Sequence, residues 1–141
     1  MALVSTSNTS PAGGPSLFRR RHRISGDDQF AAVFEAKLRK SRGPITVFLL
    51  ATQNQEHRLG LSIGRRVGNA VVRGRFKRMM REVFRHQREQ LPTPTGSTES
   101  GSYDIVVSTR RHDPLTLEEY TRLFVDAVEA AHRTHQKRAQ R

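Results

Sequence analysis

The chain has 141 residues and a formal net charge of +12, with 25 Lys and Arg against 13 Asp and Glu. That length suits one domain with tails, and that charge points to a polyanionic partner, either nucleic acid or an anionic membrane surface. The absence of cysteine excludes disulfides, thiolate nucleophiles and Cys-ligated zinc, and no apolar run approaches the roughly 20 residues that span a bilayer.

Only 35% of the residues are hydrophobic, which predicts a modest core with disordered ends. Residues 1–16 read as a disordered extension, because Pro11, Gly13, Gly14 and Pro15 would break an amphipathic helix. No basic residue precedes the short apolar run Ala2-Leu3-Val4, so a secretory signal is not indicated and the expected location is cytoplasmic. A basic segment with apolar anchors follows, Leu17-Phe18-Arg19-Arg20-Arg21-His22-Arg23-Ile24. A first helix is expected to start between Ser25 and Asp28, where short polar and acidic residues suit an N-terminus. Phe30, Val33, Phe34 and Leu38 then recur at helical spacing until Gly43-Pro44.

Residues 45–52 are β-branched and apolar and predict a strand. Residues 58–64 predict a second, with Leu59, Leu61 and Ile63 on one face and Gly60, Ser62 and Gly64 on the other. The polar turn between them suggests a hairpin. The bare glycine-serine face either admits a ligand or accepts a tightly packed helix. A further short strand at 36–42 is only weakly signalled.

Residues 69–91 predict the longest helix, ended by Pro92 and followed by a flexible loop over 92–102. Residues 103–109 predict another strand. Thr116 and Glu119 form a capping box for a last helix, with Leu115 and Tyr120 placed as its staple. Residues 135–141 are expected to be a basic disordered tail, leaving 17–134 as the domain. The histidines show no metal-ligand spacing, and no P-loop, G-x-S-x-G or carboxylate cluster suggests a protein active site.

The long helix carries the functional signal. Val72, Phe76, Met79 and Val83, with Met80 and Phe84 beside them, are its expected core face. Arg73, Lys77, Arg81, Arg85 and Arg88 run along an adjacent flank with Arg78 next to them, and Arg75 sits on the opposite flank. A charge run is ordinarily a solvated face. Here, however, Arg73, Lys77, Arg81 and Arg85 make three successive like-charge pairs at i, i+4, each costing a few tenths of a kcal/mol. A phosphate backbone would relieve that repulsion. Asn69 is the expected N-cap, and with Gly68 it leaves backbone N–H groups at a positive helix end, beside Arg65 and Arg66.

The run Arg65-Arg66-Val67-Gly68-Asn69-Ala70-Val71, continued by Arg73, Arg75, Lys77, Arg78, Arg81 and Glu82, resembles the signature of the bacterial ribonuclease P protein family. Phe30, Val33 and Phe34 and the basic run before them resemble the family as well. The family's central Arg-Asn-Arg is Arg73-Gly74-Arg75 here, so any contact made by the family Asn is absent.

The resemblance implies an α+β fold of the ribosomal protein S5 domain 2 type, a mixed four-stranded sheet with three helices in αβββαβα order and a left-handed crossover through the long helix. It implies the protein subunit, monomeric and without a membrane, of a ribonucleoprotein that removes the 5′ leader of precursor tRNA. Its RNA subunit would perform the hydrolysis with Mg²⁺. By position, the contacts to that catalytic RNA would be Arg65, Arg66, Asn69, Arg73, Arg75, Lys77, Arg78 and Arg81. A cleft between the first helix and the open sheet face would take the leader, using Phe30, Phe34 and Phe48 with Arg19, Arg20, Arg21 and Arg23. Core packing is the competing reading for Phe30 and Phe34. The rival functions are a ribosomal-type RNA-binding protein or RNA chaperone, a DNA-binding regulator, and a membrane-surface helix.

Overall fold

The computed structural model describes residues 18–94 and 101–139. The extension expected at 1–16 lies outside them. Three helices, α1 (Asp27–Glu35), α2 (Ala70–Gln87) and α3 (Leu117–Ala139), accompany four strands, β1 (Arg39–Arg42), β2 (Ile45–Thr52), β3 (Arg58–Ser62) and β4 (Ser102–Thr109). The sheet order is β1-β2-β4-β3. β1 pairs antiparallel with β2 and β2 with β4, whereas β3 runs parallel to β4. The crossover between the parallel strands passes through α2.

The hairpin expected between β2 and β3 does not form, because β4 lies between them. Composition explains the exchange. Every residue of β4 from Ser102 to Val107 is buried, so this strand is covered on both faces and takes a central place. The weakly signalled strand before Gly43 is real, and Arg39–Arg42 is a short basic edge of the kind that discourages pairing with another chain.

The sheet is covered unequally. On one face Ile45, Val47, Leu49, Tyr103, Ile105 and Val107 pack against Phe76, Met80, Val83 and Phe84 of α2 and Tyr120, Phe124 and Val128 of α3. On the other, α1 covers a smaller cluster of Ile24, Val33 and Val106 with Phe30, Phe48 and Leu50. The core stripe of α2 is rotated from the expected one: Met80 and Phe84 are fully buried, while Val72 is 39% exposed. Val72 sits against the Gly68 turn, where an added Cβ would stand 2.8 Å from its Cγ1.

Caps follow the sequence closely. The Asn69 side chain accepts a hydrogen bond from the Val72 amide at 3.0 Å, and Thr116 and Glu119 bond reciprocally at 3.1 and 2.9 Å. Gly26, with φ 83°, is the N-cap of α1, and Asp27 and Asp28 occupy the first turn, where the helix dipole favours them.

The tail expected over 135–141 is helical as far as Ala139. The histidines toward the end of α3 have partners that composition does not reveal. His132 Nδ1 lies 2.7 Å from the buried Tyr103 hydroxyl, and His135 meets the same ring edge-on. Arg138 donates to the Ala36 and Lys37 carbonyls at 3.1 and 3.0 Å, closing the C-terminal end of α1. Of the loop expected over 92–102, residues 92–94 have no regular structure, Ser102 already belongs to β4, and 95–100 lie outside the described residues.

Two outcomes follow from this packing. His22, His57, His132 and His135 all have pKa values lowered, in each case chiefly by burial. The unfolded chain therefore binds more protons below the ordinary histidine value of 6.5, so stability is complete above that pH and declines as pH falls beneath it. Thermal melts should give a falling midpoint between pH 7 and pH 5, and His57→Gln should flatten that dependence. At Gly74 an added Cβ would meet only Arg78 Nη1 at 3.4 Å, an ordinary contact. Gly74→Ala should accordingly stabilise the protein to urea by about 1 kcal/mol.

Candidate nucleic-acid interface

The 3-10 turn Arg65–Val67 leads into α2, anchored by buried Val67 and leaving Arg65 and Arg66 exposed. Arg73 curls back so that its Nε donates to the Gly68 carbonyl at 3.1 Å. Arg75 and Arg78 point to solvent. Among the described residues, none of Arg65, Arg66, Arg73, Arg75, Lys77, Arg78 and Arg81 has a carboxylate within ion-pair distance. The stripe is neutralised only lower down, where Glu82 bonds Arg85. Burial, then Arg23 and Arg78, lowers the pKa of Arg81, so its charge sits in an environment that already disfavours more positive charge.

Lys77 and Arg81 do not share the outlook of Arg75. They line a cavity of about 150 Å³ together with Phe18, Arg23, Phe30 and Gly60. These two cations, assigned by resemblance to the RNA subunit, thus stand in the same cleft as the aromatic and basic residues assigned to the leader. The cleft continues into an open space of about 450 Å³ beside Phe30, Phe34, Leu61 and Ser62, with Asp27 the one acid on its wall.

The aromatic residues differ in how far they are committed to packing. Phe30 is half-buried with its ring on Gly60, where an added Cβ would lie 2.9 Å from Cε1. The bare face of β3 therefore serves helix packing at this position. Phe34 is 38% exposed and meets Phe48 edge-on, with ring centroids 4.9 Å apart. Beyond them the sheet face is open. The pairings Ser41↔Thr46, Thr46↔Ser108 and Ser62↔Ser108 set one row of hydroxyl side chains across all four strands.

The basic N-terminal segment is split by its own contacts. Arg23 bridges to Leu59 of β3, the Ile24 amide donates to the Leu59 carbonyl at 2.9 Å, and the Arg23 guanidinium lies 5.3 Å from the Phe18 ring centroid, within cation–π range. Arg21 instead pairs with Glu56 at 2.9 Å, and fully buried His22 links Glu56 to Arg88. Arg23 therefore belongs to the cleft, Arg21 is tied down outside it, and Arg19 and Arg20 are exposed.

Three features escaped the sequence. Phe18 had been only an apolar anchor, yet it walls the cleft and meets Phe84 edge-on. The hydroxyl row depends on β4 lying between β2 and β3, in place of the hairpin expected there. The cavity at the start of α2 needs the 111–115 loop folded against it.

Comparison with known proteins agrees with this geometry. The family described as Ribonuclease P matches residues 18–135. The ribonuclease P protein component of Bacillus cereus strain G9842 is 29% identical over 108 residues, covering 76% of this chain and 88% of that protein. That of Bacillus mycoides is 29% identical with the same coverage. The Staphylococcus aureus RNase P protein superposes with a TM-score of 0.59 at 22% identity, covering 78% of this chain and 94% of the other. The Thermotoga maritima RNase P protein gives 0.58 at 23% identity, with 74% and 92% covered. The three helices and the mixed sheet are thus the fold of these solved structures, and this chain is a member of the ribonuclease P protein component family.

Proposed function

We propose that the chain seats the catalytic RNA of a ribonuclease P ribonucleoprotein on the outer flank of α2 and the Arg65–Arg66 turn. In the same reading it receives the single-stranded 5′ leader of precursor tRNA in the cleft between α1 and β3. The observation that carries this is the run of seven cations from Arg65 to Arg81 without an ion-paired carboxylate among the described residues. RNA phosphates would supply the missing charge and release counterions. Lys77, Arg81 and Arg23 would hold leader phosphates while exposed Phe34 stacks on an unpaired base, a combination suited to single strands.

The protein then acts by binding and orientation. Mg²⁺ would serve the RNA subunit in cleaving the phosphodiester. Among the described residues no group of three His, Asp or Glu side chains is placed to hold a metal. The reaction is the endonucleolytic maturation of the tRNA 5′ end, carried out in the cytoplasm.

Replacing Arg73 and Arg75 together by Ala should weaken binding to the ribonuclease P RNA and lower the magnitude of the salt slope by about 2, roughly one per lost phosphate contact. Filter binding across a salt series measures both, with circular dichroism confirming the fold. Unchanged affinity and slope would remove those residues from the interface. Phe34→Ala should weaken binding of leader-bearing precursor by about tenfold, the size of one lost base stack, and leave mature tRNA unaffected. Equal losses for both RNAs would place Phe34 outside the leader path.

A further inference from the structure

The N-terminal turn of α2 borders a cavity that the two sites above leave unused. It encloses about 280 Å³, close to the ~300 Å³ at which small-ligand sites begin. Val72, Phe76, Met79 and Leu115 form its apolar wall. Among the described residues the exposed large hydrophobics are Phe34, Val71 and Val72. Phe34 lies in the cleft and Val72 on the wall of this cavity, so each site presents an exposed apolar side chain.

The far wall is already rigid. His112 Nδ1 donates to the Arg110 carbonyl at 2.7 Å, which leaves Nε2 to accept from the Tyr120 hydroxyl at 2.6 Å. That hydroxyl in turn accepts from the Leu115 amide at 3.4 Å. The His112 ring meets Phe76 edge-on, with centroids 5.9 Å apart. The loop over 110–115 is thus fastened to the start of α3 and to α2, and a ligand entering here would not have to order it.

The rim is cationic. Arg75 and Arg111 both line the cavity, with Asp113 the one acid beside them, and neither arginine has an ion-paired carboxylate among the described residues. The turn carrying exposed Arg65 and Arg66 continues directly into its edge at Val67 and Gly68. An apolar side chain from a protein partner would cover these guanidiniums without neutralising them. An unpaired nucleotide brings a flat apolar base and its phosphates together.

We infer that this cavity takes one unpaired base of the RNA subunit, with the flanking phosphates held by Arg75 and Arg111. The inference rests on the RNA-binding reading above and adds a point of base recognition to a contact otherwise made through phosphates. An apolar pocket and a phosphate clamp differ in salt dependence, which separates them experimentally.

Val72→Ser removes exposed apolar wall and no charge. In the full-length protein, titrated with ribonuclease P RNA across a salt series, it should lower affinity about tenfold with an unchanged slope, whereas Arg111→Ala should reduce the slope by about one. The chain has no cysteine, so Asp113→Cys carrying an azidophenacyl group places a single photoprobe at the rim. Crosslinking in the assembled complex should map to one unpaired nucleotide of the RNA subunit, and making that nucleotide abasic should reproduce the Val72→Ser loss. Unchanged affinity of Val72→Ser, crosslinks confined to precursor tRNA, or crosslinks to a second copy of the protein would each overturn the pocket while leaving the RNA-binding reading intact. Failure of the unaltered protein to bind the RNA would overturn both.

Discussion

Seven like charges held close together on one short stretch of chain repel one another, and the rest of the molecule is arranged to keep them there. Along α2, Arg73, Lys77 and Arg81 follow at i, i+4 with no acid between them, and relief arrives only where Glu82 bonds Arg85. Each unrelieved pair costs a few tenths of a kcal/mol. The opposing term is burial of the other side of the helix. Phe76, Met80, Val83 and Phe84 are almost completely removed from water, and each large side chain so buried contributes roughly 1.5–3 kcal/mol. Packing therefore outweighs repulsion by a wide margin, and the charges remain available to a partner instead of being neutralised internally.

The same packing creates the cleft. Because β4 occupies the sheet interior, β3 is an edge strand beside α2, and its other face meets α1. Phe30 settles on Gly60, Arg23 is held to β3 through the bridge at Leu59, and Lys77 and Arg81 lean in from α2. Four separate chain segments thus converge on one basic, aromatic channel. The buried link from His22 to Glu56 and Arg88 fixes the N-terminal segment that supplies Arg23.

Much of this is legible in the amino-acid sequence. Caps were readable because Asn69, Thr116 and Glu119 act within a few residues of themselves, and the basic flank was readable because helical periodicity is local. The long signature around Gly68-Asn69 carried the family and, through it, the four-stranded fold. Non-local choices were harder. Nothing within residues 45–64 shows that a strand some 40 positions later will part β2 from β3, and a turn of suitable composition invited the simpler hairpin. The helical end of α3 was misjudged for a related reason: His132, His135 and Arg138 look solvated in sequence, and their partners Tyr103, Ala36 and Lys37 are distant. The division between Phe30 and Phe34 likewise follows from a single glycine on another strand.

The most direct measurement is cleavage of a precursor tRNA by the ribonuclease P RNA of the same organism, with and without this protein, at low Mg²⁺ and moderate salt. A protein subunit of that ribonucleoprotein should be inert alone and, added to the RNA, should restore cleavage at the mature 5′ end. Tight RNA binding with no effect on cleavage would contradict that role and make the chain a general RNA-binding module. Cleavage by the protein alone would contradict the assignment of the chemistry to the RNA.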